Sequence, residues 1–273
     1  MKRLILILVV LISGCFSQNF EASETLEFVD RVDVGELDID FETYNGKITL
    51  RTWDRKEYKI TVKKRAWSTS KRKAERKLEK IEVNFSKEKE REIIYLRLEI
   101  KSKETFSLVE TSAEITAYIP SDLNFKGISL KTINGEIYVE NVSSESLKMR
   151  TTNGELSIFN VNSRKIDAKT TNGKISSVLE GEMIELETVN GEIDVTIKGK
   201  GSYNLKTTNG GIEIRLNLSC SFDLENTHGE IEVYLENVTF EILKNHHVKG
   251  YNAEKPEVFI LAETINGDVI ISL

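Results

Sequence analysis

The sequence predicts an all-β protein, a parallel β-solenoid (β-helix) of ~19-residue rungs with one amphipathic helix ahead of the array, and three observations carry that prediction. A Thr-x-Asn-Gly-x-Ile unit, seen plainly as Thr151-Thr152-Asn153-Gly154-Glu155-Leu156, recurs with its Asn at Asn134, Asn153, Asn172, Asn190 and Asn209, as His at His228, and again at Asn266. The steps are 19, 19, 18, 19, 19 and 38 residues, the last read as two periods with one unmarked rung between. Apolar residues alternate on both sides of each Asn-Gly, as Ile128 and Leu130 before Asn134 and Ile137 and Val139 after it, so each unit holds two strands with one buried face. A constant period is a stacking constraint, and a coil encloses its own core. The alternative is an antiparallel β-meander in which each Asn-Gly is a type I′ hairpin loop, which leaves one apolar face in need of a cover.

Taken from the start, residues 1–15 read as a lipoprotein-like signal peptide: Lys2 and Arg3, then an apolar run from Leu4 to Ile12 that is too short to span a bilayer as a helix. Leu11-Ile12-Ser13-Gly14-Cys15 resembles a lipoprotein signal box, in which Cys15 becomes the lipidated first residue and ties the chain to a membrane. With Cys15 modified, Cys220 stands alone and no intramolecular disulfide can form. The formal net charge of −6 becomes more negative once Lys2 and Arg3 are removed.

Residues 16–24 are a short polar tether, 25–125 a strand-helix-strand segment of the solenoid domain, and 126–273 the repeat solenoid. Asn45-Gly46, with Ile39, Phe41, Thr43, Ile48 and Leu50 at the template positions, is an early copy of the unit, and Ser112 marks a degenerate one. Over Ser68 to Lys80, Ala74 and Leu78, followed by Ile81, recur at helical spacing after a Ser-Thr-Ser cap candidate. Two strands follow, with the charged run Lys87 to Glu92 read as the hairpin loop between them.

Charge concentrates on that helix and its flank. Lys63, Lys64, Arg65, Lys71, Arg72, Lys73, Arg76, Lys77 and Lys80 face only Glu75 and Glu79, a basic patch suited to anionic lipid head groups or an acidic envelope polymer. Nucleic acid is a poor partner for an exported chain without the interleaved aromatics that single-strand binding uses. The residue after each Gly forms a second series, Lys47, Glu136, Glu155, Lys174, Glu192, Gly211, Glu230 and Asp268. Stacked in a solenoid these form an outward row, and Glu136, Glu155, Glu192, Glu230 and Asp268 are weak candidates for a bridging cation; no metal or other cofactor is expected. The polar stretch from Lys244 to Glu257, with His246, His247 and Tyr251, is a candidate ligand or partner loop, although adjacent His residues on a strand point opposite ways. Asn84, Asn141, Asn217 and Asn237 each begin a glycosylation sequon.

A repeat array with Gly-Glu-Ile after its Asn, preceded by an irregular strand-helix-strand segment and a lipoprotein-like leader, resembles the "putative adhesin" domains of unknown function on prokaryotic surfaces. The resemblance implies a β-helical surface domain and brings no catalytic residues. Acids are spread evenly along the repeats, His is scarce, and neither a Gly-x-Ser-x-Gly elbow nor a metal-ligand spacing occurs, so the chain does not read as an enzyme. The expectation is a lipid-anchored protein of the cell surface, facing the extracellular side, that binds an envelope polysaccharide or a surface protein. The alternatives are a β-helical carbohydrate-active enzyme and a structural or stress-sensing envelope component that holds a partner through its end edges, one of which is expected at Leu273.

Overall fold

A computed structural model describes residues 5–7, 20–32, 35–102 and 110–273; Cys15 and most of the leader lie outside them. The fold is all-β, and the strands join one hydrogen-bonded network that mixes parallel and antiparallel pairs. Within the array, each unit lies beside the next in parallel register, Leu147 against Ile166 and Ile137 against Leu156, and the marker Asn residues bridge one another from Asn45 through Asn134, Asn153, Asn172, Asn190 and Asn209 to Asn266. The Asn-Gly pairs are therefore not hairpin loops, which removes the antiparallel meander. The short step from Asn172 to Asn190 has a local cause: Phe159 pairs with Val178 and Val161 with Leu179, so Asn160, at φ 52°, has no counterpart in the shorter unit.

Three ladders hold neighbouring units together. Each repeat Thr is buried, and from Thr132 onward each donates its hydroxyl to the Gly carbonyl of the neighbouring unit, as Thr151 to Gly135, Thr170 to Gly154 and Thr207 to Gly191 at 2.8–3.0 Å. Each Asn amide donates to the Asn side-chain oxygen before it, at 2.7 Å from Asn153 to Asn134 and 2.8 Å from Asn172 to Asn153. The glycines make the close approach possible: a Cβ on Gly154 would lie 1.9 Å from the Gly135 carbonyl oxygen, and one on Gly173 1.9 Å from that of Gly154. Close stacking selects Gly in these units, Gly46, Gly210, Gly229 and Gly267 adopt positive φ as well, and the repeat Asn residues do not. Inside, Leu, Ile, Val and Ala from both strands of every unit form one continuous core from Leu37 to Ile271.

Chain order and stacking order differ at both ends. Glu36–Glu42 and Ile48–Trp53, the Asn45 unit, are inserted between the Ser112 unit on one side and the Asn134 unit on the other. In the same way Val258–Glu263 and Val269–Ser272, the Asn266 unit, sit between the Asn209 and His228 units. The 38-residue step therefore does not hold an unmarked rung. It contains an antiparallel hairpin, Thr239–Lys244 with His247–Tyr251, which covers Cys220–Glu225 before the chain turns back into the stack. Leu273 consequently follows an inner strand, Val269–Ser272, and the terminal edge belongs to the His228 unit.

The other end is closed by antiparallel strands. Glu57–Ser68 covers Thr111–Pro120 and is itself covered by Phe20–Arg31, while Ile81–Glu90 covers Ile93–Ser102. Residues 87–90 belong to that last strand and its turn falls at Arg91, so the charged run is mostly strand. Ile5–Ile7 pairs with Thr25–Glu27. The one helix among the described residues, Lys71–Leu78, buries Ala74 and Leu78 and packs on Phe20–Arg31 and Glu57–Ser68; its N-cap Ser70 makes no side-chain capping bond. Among the described residues no helix is long and apolar enough to cross a membrane.

Candidate functional site

The repeat positions richest in chemistry are occupied in holding the stack together, so candidate sites lie where side chains leave the array. The row after each Gly runs in space as Lys47, Glu136, Glu155, Lys174, Glu192, Gly211, Asp268 and Glu230. Lys47 pairs with Glu136 at 2.9 Å, and Lys174 reaches Glu192 at 3.3 Å and also pairs with Asp194. An Asp268 carboxylate oxygen accepts the backbone N–H of Glu230 at 2.8 Å. Lysines and a glycine thus divide the acids into groups of no more than two, and no three acids of the row converge.

Among the described residues, the group of three that could hold a metal ion is Asp223, Glu225 and His247, with ligand atoms within 4.8 Å of one another. Asp223 and Glu225 are two apart on Cys220–Glu225 and so share its outer face, and His247 stands directly opposite Glu225 on the covering strand. His247 Nε2 is 2.8 Å from Asp223 Oδ1 and 3.5 Å from Glu225 Oε1, while Lys249 Nζ lies 3.9 Å from the other Asp223 oxygen. One imidazole and two carboxylates suit a borderline divalent cation, in competition with the Lys249 ammonium. Alternation placed Asp223 and Glu225 on one face already in the sequence, but their meeting with His247 depends on an antiparallel cap that the repeat does not announce.

His246 does not join that cluster. It lies in the two-residue turn of the hairpin, with Nδ1 2.8 Å from Asn226 Oδ1. Tyr251 lies across from Ser221, away from both. The stretch from Lys244 to Glu257 is thus partly a structural cover, with His247 the residue that reaches a charged cluster.

The basic patch divides into spent and unspent charge. Lys64 is buried, 2.5 Å from Glu24 and donating to the Ile81 carbonyl; Arg65 pairs with Glu114, Lys77 with Glu110, and Lys71 approaches Glu75 at 4.0 Å. Lys80 also has a polar partner. Lys63, Arg72, Lys73 and Arg76 are exposed, and the last three project from the helix at the end of the stack nearest the start of the chain.

An open groove of about 540 Å³ lies beside that end, lined by Asp40, Glu42, Asn84, Phe85, Arg97 and Glu99. Burial, with the Asp40 charge adding to it, holds the nearby Asp38 carboxyl above the ordinary carboxylate range. Asn84, Asn141, Asn217 and Asn237 are all exposed, Asn141 and Asn237 on corners at φ 57° and 55°. Cys220 is fully buried, and burial pushes its thiol up to about 11, which makes it an inert packing residue.

Comparison with known proteins adds a family. The sequence profile described as Toastrack DUF4097 matches residues 31–272. No curated protein matches the chain. Among solved structures, a "putative cell adhesion protein" from Clostridium sporogenes ATCC 15579 is 12% identical, with 90% of this chain and 98% of that one covered at a TM-score of 0.33. A "putative adhesin" from Bacteroides fragilis NCTC 9343 is 10% identical over 90% and 96% of the two chains, at 0.43. A "putative lipid binding protein" from Parabacteroides distasonis ATCC 8503 is 15% identical over 92% and 96%, at 0.35.

Proposed function

We propose that this chain, which belongs to the Toastrack family, is a lipid-anchored, cell-surface parallel solenoid of ~19-residue rungs that serves as a non-enzymatic binding scaffold. The observation that carries the reading is the fate of the repeat: its Thr, Asn and Gly are consumed in bonds between units, which builds a rigid support and leaves recognition to its ends and faces. The helix supports an orientation for such an anchored chain. Arg72, Lys73 and Arg76 project at the end where the chain begins, so an anchor at Cys15 places them toward anionic head groups and the His228 unit away from the membrane.

Fractionation with mass spectrometry tests the anchor. Native protein is expected in the membrane fraction with a diacylglycerol-modified Cys15 as its first residue, and Cys15→Ser is expected in the soluble fraction. An unmodified mature start at any other residue overturns the anchor. Product release from an envelope polysaccharide that disappears in Glu155→Gln or Glu192→Gln overturns the non-enzymatic part.

A further inference from the structure

The stack ends in four strands, and three of them are covered. Glu57–Ser68 lies on Thr111–Pro120, Ile81–Glu90 on Ile93–Ser102, and His247–Tyr251 on Cys220–Glu225. The fourth, Ile231–Tyr234, pairs with Val269–Ser272 on one side and, among the described residues, with no strand on the other.

The bare side has a defined bonding pattern. Along the array the repeat Gly N–H donates to the Asn carbonyl of the following unit, and the N–H two residues on donates to the carbonyl after the Gly: Gly210 to Asn266, Ile212 to Asp268, Gly267 to His228 and Val269 to Glu230, each at 2.9 Å. In the His228 unit the same donors are the N–H groups of Gly229 and Ile231, and parallel alternation adds Val233. They face out of the stack. The core is open at the same place: Ile231 and Val233 are half-buried, whereas Val269 and Ile271 beside them are at 0% exposure. Tyr234 is 61% exposed on the outer face.

Charge selects among occupants. Glu230, Glu232 and Glu236 lie along this edge, and Glu232 accepts the Tyr234 hydroxyl on the outer face. A second copy added antiparallel brings Glu232 near its own counterpart, and like charges across a strand pair are destabilising. A strand with apolar side chains inward, over Ile231 and Val233, and Lys or Arg outward, beside Glu232, satisfies both faces.

We propose that Ile231–Tyr234 is a strand-addition site that takes an extended basic segment of a partner polypeptide, its apolar residues completing the open core. The proposal rests on the binding-scaffold reading and specifies the class and position of the partner. It does not depend on the lipid anchor, so a failed membrane fractionation leaves it standing.

The test uses the full-length Cys15→Ser chain and a fluorescent, end-capped peptide of alternating Lys and Val, with a Glu-Val peptide as control, followed by fluorescence anisotropy. Val233→Pro removes an outward N–H without breaking the pairing with Val269–Ser272 and keeps every charge. The Lys-Val peptide is expected to bind the parent at least tenfold more tightly than Val233→Pro at an unchanged Tm, and the Glu-Val peptide is expected not to bind. The double variant Glu230→Lys, Glu232→Lys, which spares the backbone, is expected to reverse that preference. Equal binding to the parent and Val233→Pro, or no binding of the Lys-Val peptide up to about 1 mM, overturns the proposal. A concentration-dependent dimer in sedimentation that Val233→Pro abolishes also overturns it, in favour of a second copy.

Discussion

At the scale of single residues, the repeat is a set of contacts between units, and each type is open to a substitution. Gly154→Ala sets a Cβ 1.9 Å from the Gly135 carbonyl oxygen, where backbone must move, and is expected to destabilise by about 3 kcal/mol in urea unfolding. Gly211→Ala is the control: its Cβ meets nothing nearer than 3.3 Å, and a loss under about 1 kcal/mol is expected. Thr170→Val keeps the shape but removes the bond to the buried side of the Gly154 carbonyl, for an expected loss of about 1 kcal/mol in the same assay. Asp38 gives a pH signature. Burial raises its carboxyl above the ordinary carboxylate range, so the ionised form costs stability at neutral pH, and that cost disappears as the pH falls through the raised value. Asp38→Asn is therefore expected to raise Tm at about pH 7 and to leave it unchanged at about pH 3, as scanning calorimetry would report. A Tm at pH 7 equal to the parent's argues against a strained Asp38.

At the scale of elements, the caps matter most and were the least legible in the sequence. Period-two alternation and the Asn-Gly spacing located the strands of the array, and helical spacing at Ala74 and Leu78 located the helix, because these signals are local. The partners of Glu57–Ser68, Ile81–Glu90 and His247–Tyr251 are distant in the chain, and alternation is the same whether a strand pairs parallel or antiparallel. That ambiguity made a hairpin look like an unmarked rung, and it hid the meeting of His247 with Asp223 and Glu225. The positions after each Gly were legible as a row, but the pairing of Lys47 with Glu136 depends on the Asn45 unit standing beside the Asn134 unit, against chain order. The C-terminal cap has its own test. Val248, on the cap strand His247–Tyr251 itself, is 4% exposed, and Val248→Asp is expected to cost about 3 kcal/mol. Hydrogen exchange should show protection lost at Cys220–Glu225 and kept at Ile137–Glu140; equal loss at both would mean that the cap is not a separate unit.

At the scale of the whole molecule, the first and last repeat units each stand one place in from an end, held on both faces. A plain repeat array can be peeled from its terminal units, each of which contacts one neighbour. Here the Asn45 and Asn266 units are gripped within the stack, and the end strands are supplied by segments that have chain on either side. The units from Asn134 to Asn209, by contrast, follow chain order and repeat the same bonds. Duplicating residues 153–171 in tandem is expected to give a folded protein longer by one strand spacing, about 4.8 Å, by small-angle scattering. The two ends are thus fixed fittings and the middle is a variable shaft. The separation between the basic helix and the bare strand Ile231–Tyr234 becomes a ruler graduated in whole units, by which a lineage could change the reach of the molecule without redesigning what either end touches.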